Sequence, residues 1–397
     1  MMATCHVLYH EGAKIILRNT PVSFDEKTSE SKALSLLRFI QAEHLSRCSY
    51  IRELHLLMTS VPDVLAMALV QLVPRMISLK VLSVAIEDAL ESYPELLFAF
   101  SSLQSVENLL VANAGEHSCA LVRSLQSPIV EAEIFYGPTS SFRRAREDLS
   151  SKTECHPLVM LQHSAATLTT LVAGFLVDSN IQLVFVRPPD ITFPLVHTLI
   201  LHECTSLTLT PYVKCLPNLT HLCIRYRGQS PWDDHDDHGH GQIPGAGLPA
   251  LQREMNLTLP GRLDPATQYG PPAWKRLDEY IGPLMDLWVL GLTCPIACLK
   301  LEDGFARLSS GARAPTALTD VLAYARPTEL AIVFRRCTLT DFLATDFLDA
   351  LATEGAAGLR SLMVAVWVRE GDRDLDMGPA LVSITLAAEL SSCAACC

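Results

Sequence analysis

Residues 51–56 read IRELHL and residues 79–84 read LKVLSV, and both fit one frame. The frame consists of an apolar residue, two variable residues, Leu or Ala, one variable residue and a second apolar residue. We find ten instances, and five of the nine intervals between successive central anchors span 23–28 residues, which indicates a repeated structural unit. The predicted anchors are Leu54, Leu82, Leu109, Ala132, Leu171, Leu199, Leu222, Leu287, Leu330 and Leu362.

Intervals of this length are typical of leucine-rich repeats, in which a short strand and a helix stack on the next copy. Frame positions 4 and 6 lie on one side of a strand because strand side chains alternate. Helix-like segments lie between the frames, including residues 31–45, 274–285 and 342–352. We predict an α/β fold, an irregular leucine-rich-repeat solenoid of about ten repeats, with a curved parallel sheet on the concave side and helices on the convex side. The alternative is an ordinary βαβ sheet domain.

The long intervals between anchors predict insertions into the repeat array. One is polar and Ser-rich at about 137–156, and the other, at about 229–272, is rich in Gly, Pro, Asp and His. We expect the solenoid to cover residues 31–380, with a linker region over 1–30 and a C-terminal tail over 381–397.

Composition restricts the class of partner and the compartment. The net charge is -12 without a Lys/Arg cluster, which argues against nucleic acid as a partner. Thirteen cysteines, an odd number scattered through apolar runs, indicate reduced thiols. The N-terminus has no signal-peptide core and no run is long enough to span a bilayer, so we expect a cytoplasmic or nuclear protein that does not bind membranes.

The segments CHVLYHEGAKIILRNTPVSF (5–24) and ESKALSLLRFIQAEHLSRCSYIRELHLL (30–57), followed by the repeats, resemble fungal F-box-like proteins with degenerate leucine-rich repeats. In that family the region from Cys5 to Leu17 corresponds to the end of the F-box and its linker. There is no room for a whole F-box before Tyr9, so the resemblance implies that it is missing or truncated here. Family membership implies a substrate receptor for a ubiquitin ligase. A Skp1-type adaptor is a further partner only where a full F-box is present.

Frame positions 3, 5 and 7 alternate with the buried anchors and are predicted to line the concave sheet face. The set holds five acidic residues, one arginine and two large aromatic residues, which suits a basic or amphipathic peptide segment. The alternative is that these side chains are solvated strand faces without a binding role. The candidate partner-binding residues are Glu53, His55, Asn108, Glu131, Glu133, Phe135, His202, His221, Arg225, Asp286, Trp288 and Glu329.

The run WDDHDDHGHG (232–241) carries weak candidate metal ligands in His235, His238 and His240. Consecutive ligands flanked by glycines must be ordered at an entropic cost, so a solvated acidic loop is favoured over a metal site. The i, i+4 pair Cys294 and Cys298 fits no zinc or redox motif and predicts buried thiols.

The chain lacks the GxSxG, Walker A, GxGxxG and HExxH signatures, so we predict neither an enzyme nor a cofactor. The leading functional prediction is non-catalytic protein–protein recognition, as the substrate-receptor part of an F-box-like ubiquitin-ligase adaptor. Two alternatives stay open: a free-standing leucine-rich-repeat scaffold or inhibitor that does not bind Skp1, and a hydrolase with a His/Asp site.

Overall fold

The structure is a computed structural model that forms two compact units, Met1–Val196 and His197–Cys397. The residues that it describes are 2–137, 154–175, 191–202, 210–225, 253, 274–302, 314–334 and 349–366. Most of the predicted 137–156 insertion lies outside these ranges. So do the tail over 381–397 and, apart from Arg253, the 229–272 insertion.

Six parallel strands form the sheet of unit 1, and each pairs with the next strand along the chain. Parallel neighbours require a crossover connection, which explains the helices between successive strands. The strands are β1 (Val22–Asp25), β2 (Glu53–Leu57), β3 (Val81–Val84), β4 (Asn108–Ala114), β5 (Glu131–Tyr136) and β6 (Thr170–Phe175).

The described helices of unit 1 include an N-terminal helix that precedes the sheet and shorter helices in the crossovers. They are α1 (Met2–Asn19), α2 (Glu30–Gln41), α3 (Asp63–Leu72), α4 (Glu87–Ser92), α5 (Pro94–Ser101), α6 (Glu116–Ser124) and α7 (Pro157–Met160). Short 3-10 turns occupy Ser46–Tyr50, Val73–Arg75 and Gln162–Ser164.

Unit 2 repeats the arrangement with six further parallel strands, again paired in chain order. These are β7 (Thr198–His202), β8 (His221–Arg225), β9 (Leu277–Gly282), β10 (Ile296–Glu302), β11 (Glu329–Phe334) and β12 (Ser361–Val366). Its described helices are α8 (Thr210–Cys215), α9 (Leu284–Leu290) and α10 (Ala314–Ala325), with a 3-10 turn at Glu354–Ala356.

The predicted register is confirmed for nine of the ten frames, whose anchors lie side by side on adjacent strands. In unit 1, Leu54 is in register with Leu82, and Ala132 with Leu171. The side chains of these four anchors are fully buried. The anchors of the repeated frame therefore form continuous apolar rows beneath each sheet, as stacked units that share one core require.

The frame at 284–289, with Leu287 as its anchor, was a wrong prediction because these residues form α9. Pro283 with extended backbone precedes the helix, and Gly291, with φ 62°, ends it. Leu284 and Leu287 are both buried on the helix. Frame positions 1 and 4 are three residues apart, a spacing that also fits one face of a helix.

The strand that belongs to this repeat is β9, within the 274–285 segment that we predicted to be helical. Its anchor is Tyr280, in register with Leu222 and Leu299. The Tyr280 side chain is fully buried, and its hydroxyl donates a hydrogen bond to the carbonyl of Pro283 at 3.0 Å. A tyrosine therefore replaces the usual leucine because its polar end has a partner.

Two further strands were missed by the frame search. β10 carries the sequence IACLKL at 296–301, which fits the frame but is not among the ten predicted instances. β1 lies inside the region that we predicted to be a linker, and Val22 is in register with Leu54. The sheet therefore begins before residue 31.

Threonines at frame position 2 link neighbouring strands at their N-terminal ends. The hydroxyl of Thr169 donates to the carbonyl of Val130 at 3.1 Å, and Thr220 and Thr328 make the same bond to the preceding strand at 3.1 and 3.0 Å. Because the bond recurs in both units, it is a property of the repeat rather than of one loop.

A buried carboxylate joins two helices of unit 1. Glu87, the first residue of α4, accepts hydrogen bonds from the backbone N–H groups of Gly115, His117 and Ser118 at 3.0, 2.9 and 2.9 Å. The Ser118 hydroxyl donates to the same side chain at 2.5 Å. The carboxylate thus fills the N-terminus of α6, where unpaired donors and the helix dipole favour negative charge.

Candidate interaction faces of the sheet

Side chains that alternate with the anchors form the opposite face of each sheet. We define the unit 1 face by eight of these side chains, four of which are carboxylates. They are Asp25, Glu53, His55, Asn108, Leu110, Glu131, Glu133 and Phe135. Glu53, His55, Asn108, Glu131, Glu133 and Phe135 lie on strands and are at least partly exposed, whereas the anchors beside them are buried. Their role in binding stays a prediction.

The register places the side chains of the unit 1 face in short rows across the strands. Asn108 lies beside Glu131, and Leu110 lies beside Glu133. Neighbouring strands are about 4.8 Å apart, so a ligand that contacts one side chain of a row also meets the next. The face therefore offers carboxylates and apolar contacts within the same few ångströms.

The carboxylates of the unit 1 face have few internal partners. The Asp25 carboxylate is bound within its own turn, by the Thr28 hydroxyl at 2.6 Å, and that hydrogen bond lowers the pKa of Asp25. His55 Nε2 lies 3.9 Å from a Glu53 carboxylate oxygen. Among the described strand residues that alternate with the anchors in unit 1, none is Lys or Arg. The face therefore carries an acidic field that no basic side chain within it neutralises.

The unit 2 face has mixed charge. The Lys300 amine donates to a Glu279 carboxylate oxygen at 2.6 Å, and this hydrogen bond raises the pKa of Lys300. His202 lies beside Arg225 in the register, and its pKa is lowered by burial and by the Arg225 charge. His221 and Glu329 also lie on strands, at the first residue of β8 and of β11. Because this face carries both acidic and basic side chains, its charges partly cancel, whereas those of the unit 1 face do not.

Asp286 and Trp288 do not belong to a strand face, which corrects our prediction for both residues. They lie on α9, where the Trp288 indole N–H donates to Asp320 of α10 at 2.9 Å. The guanidinium of Arg253 stacks 4.5 Å from the Trp288 ring and donates to the Trp288 carbonyl at 2.7 Å. This aromatic side chain therefore fixes a residue of the 229–272 segment instead of facing a partner.

Sequence reasoning missed the face residues of β9 and β10. Glu279, Cys298, Lys300 and Glu302 lie on these two strands. The frame at 296–301 was the signal that could have found three of them. Cys298 is partly exposed rather than buried as predicted, and burial still raises its pKa, whereas Cys294 is buried.

The described part of the chain contains no cluster of three or more His, Cys, Asp or Glu side chains that could hold a metal ion. His235, His238 and His240 lie outside it, so the weak metal candidates are not placed. Within the same residues, no helix is both long and apolar enough to cross a bilayer.

No protein-family model matches the chain. No curated protein matches it either.

Proposed function

We propose that the chain is a non-catalytic protein-recognition module of the leucine-rich-repeat class. Parallel strands in chain order, anchors in register and at least one helix in every crossover of unit 1 support this class. In such modules the strand face opposite the helices is the binding surface. The expected ligand is a polypeptide, since a row of side chains across successive strands suits an extended surface better than a small molecule.

The observation that carries the proposal is the uncompensated acidity of the unit 1 face. Glu131 and Glu133 are two residues apart on β5, so their carboxylates lie on the same side about 7 Å apart. Leu110 and Phe135 supply apolar contacts beside them. This combination favours a ligand with spaced Lys or Arg residues and an apolar side chain between them.

The test compares charge reversal on the two sides of unit 1. A protein is first captured from native extract by the wild-type chain. Its affinity for the wild-type chain is then compared with its affinity for the double variant Glu131→Lys/Glu133→Lys. The matched control is Glu91→Lys/Glu95→Lys, which makes the same change at exposed residues of α4 and α5. We expect the face variant to lose at least about tenfold in affinity while the control stays within about twofold.

Equal loss of affinity in both variants would show that net charge alone holds the ligand, and would contradict recognition by the face. Undiminished binding by the face variant would also overturn the proposal. A steep fall in affinity with added salt is expected for the wild-type chain, because rim and face charges are screened within a Debye length of about 8–10 Å.

We further propose, from the resemblance to F-box-like proteins, that the bound polypeptide is a ubiquitin-ligase substrate. Co-purification of Skp1 and a cullin with the chain tests this role directly. Stable partners that depend on the unit 1 face, with Skp1 never recovered, would instead favour the free-standing scaffold or inhibitor.

A further inference from the structure

Helix α1 presents an apolar face that nothing in the described structure covers. Three of the large hydrophobic side chains that are more than half exposed lie within about 100° of one another around this helix. They are Leu8, Ile15 and Ile16, at 68%, 58% and 55%. A contiguous exposed stripe of this kind marks an interaction surface. Cys5, Leu8, Gly12, Ile15 and Asn19 recur at intervals of three and four residues, the spacing of a helix–helix seam.

The opposite side of α1 is firmly attached to unit 1. Ala13 and Leu17 are buried against the fold. The guanidinium of Arg47 lies between the rings of Tyr9 and Phe39, at 4.9 and 4.6 Å from their centroids. The apolar stripe is therefore held outward by a docked helix rather than by a loose terminus.

Further polar contacts fix the same side. Arg47 donates to Glu43 at 2.7 Å, and the other carboxylate oxygen of Glu43 lies 2.6 Å from His10 of α1. The hydrogen bond from Arg47 lowers the pKa of Glu43. These bonds use polar groups on the inner side of α1 and leave the outer stripe apolar.

Gly12 lies in the middle of the stripe without a steric reason within the chain. A Cβ added at this position would have no heavy atom within 4 Å. Glycine inside a helix costs about 1 kcal/mol relative to alanine, so its use here points to an external backbone or side chain that needs the space. A hole at the centre of an apolar stripe is the shape that accepts a projecting side chain from a facing helix.

We propose that α1 of a second copy of the chain packs antiparallel on this stripe, with Ile15 of each copy seated over Gly12 of the other. In an antiparallel pair, seam positions meet so that Gly12 faces the partner's Ile15 and Leu8 faces the partner's Asn19. This register places Glu11 beside Arg18 of the second copy, twice by symmetry, and Tyr9 beside Ile16.

Charge complementarity selects this register over its neighbour. Moving the helices by one heptad would bring Glu11 against Glu11 of the second copy, which is repulsive. A parallel pair would set Glu11 against Ile16 and leave Arg18 without an acidic partner. Within one chain, the Glu11 carboxylate lies 3.5 Å from the Lys14 amine, and the Arg18 guanidinium lies 5.7 Å from the centre of the Tyr50 ring. The isologous antiparallel contact is the arrangement that brings the opposite charges of Glu11 and Arg18 together across the interface and covers Leu8, Ile15 and Ile16.

The test measures the mass of the full chain by analytical ultracentrifugation over a concentration series. We expect a monomer–dimer equilibrium. Gly12→Leu fills the hole and is expected to abolish the dimer while the circular dichroism and the thermal midpoint are kept or raised, because the added side chain meets nothing within its own chain. Gly358→Leu is the matched control, since Gly358 also has open space around it and lies far along the chain in unit 2.

Charge reversal tests the register. Glu11→Arg and Arg18→Glu should each weaken the dimer about tenfold or more, because two attractive contacts become repulsive. An equimolar mixture of the two variants should form a heterodimer, since each reversed charge again faces its opposite.

Three outcomes would overturn the proposal. These are a monomer at all concentrations, a dimer that tolerates Gly12→Leu, and single charge variants whose mixture is no tighter than either alone. A monomeric wild type that binds a different protein through α1, with binding lost in Gly12→Leu, would assign the stripe to that partner and equally exclude the second copy.

Discussion

Neighbouring residues on one strand have opposite roles in this fold. Leu199 is fully buried as an anchor of β7, whereas Thr198 is partly exposed on the other face and its hydroxyl lies 2.9 Å from His197 Nδ1. A one-residue error in register would exchange the two environments. Comparing the same substitution at Leu199 and at Thr198 therefore tests the register of the strand better than a substitution at one of them.

Leu199→Asp is expected to lower the free energy of unfolding by about 4 kcal/mol or more, because a carboxylate without a partner would replace a core side chain. Thr198→Asp is expected to change it by less than about 1 kcal/mol. Urea denaturation of the two variants gives both values. Similar losses in the two variants would show that β7 is out of register.

A buried histidine makes stability depend on pH. His156 is fully enclosed, its Nδ1 accepts a hydrogen bond from the Leu158 backbone N–H at 3.2 Å, and burial holds its pKa well below 6.5. The unfolded chain takes up a proton below about pH 6.5 while the folded chain does not. Stability is therefore complete above that pH and falls as the pH decreases, by at most about 1.4 kcal/mol per pH unit for this side chain.

His156→Asn retains a hydrogen-bond acceptor at the start of α7 and removes the titrating group. We expect the fall in the free energy of unfolding between pH 7.5 and 5.5 to be smaller in this variant than in the wild type. The pKa values of His163 and His202 are also lowered by burial, so these two histidines add to the slope of stability with pH. The control is His44→Asn at an exposed residue with φ 57°, which asparagine tolerates. If the free energy of unfolding of His156→Asn fell with pH as steeply as that of the wild type, His156 would not be a source of the pH dependence.

At the scale of the element, the alternation of apolar and polar residues predicts strands well. The three-residue spacing of frame positions 1 and 4 alone does not, because it also fits a helix. Nine frames are strands because two apolar anchors at positions i and i+2 lie on the same side of the backbone in a strand and not in a helix. The segment around Leu287 also matches the frame, but it forms a helix that begins after Pro283 and ends at Gly291. Tyr280 does not fit the aliphatic frame, and the backbone partner that allows its hydroxyl to be buried cannot be read from the local sequence.

The same reasons explain how much of the site could be predicted. Glu53, Glu131 and Glu133 were found because their strands were found. Glu279 and Lys300 were missed with β9 and β10, and their ion pair depends on strand pairing that no local pattern contains. The predicted position of Trp288 was wrong because the segment predicted to be its strand forms α9. Its contact with Arg253 could not be predicted locally, because the two residues are 35 positions apart in the sequence.

Glu87 gives a test at the level of two helices. Glu87→Ala removes the acceptor for three backbone N–H groups and the Ser118 hydroxyl, so we expect it to lower the free energy of unfolding by about 2–4 kcal/mol. Glu91→Ala, at an exposed residue of the same helix, is the control and should cost less than about 0.5 kcal/mol. Guanidinium denaturation measures both. A small effect of Glu87→Ala would mean that water replaces the carboxylate at α6.

On the scale of the whole molecule, cysteine labelling reports on both units at once. Among the described thiols, three buried ones lie in unit 1 (Cys48, Cys119 and Cys155) and three in unit 2 (Cys215, Cys223 and Cys294), while Cys5 is exposed. Burial raises the pKa of Cys48 and of Cys294 to about 11, which further lowers their reactivity because the thiolate is the nucleophile.

We expect pulse alkylation of the native chain to modify Cys5 quickly and the six buried cysteines only on unfolding. Peptide mass spectrometry separates the sites, and labelling in denaturant provides the control for intrinsic reactivity. Rapid labelling confined to Cys215, Cys223 and Cys294 would show that unit 2 opens under native conditions while unit 1 stays closed.

The pairing of each strand with its neighbours in the chain has a consequence for biosynthesis. In unit 1, β2 needs only β1 and the residues between them, and each later strand adds to an edge that already exists. The chain can therefore begin to fold on the ribosome from its first repeats, without waiting for distant segments to be translated. The exposed edge that awaits the next strand is then short-lived, because the segment that will cover it is the next to emerge.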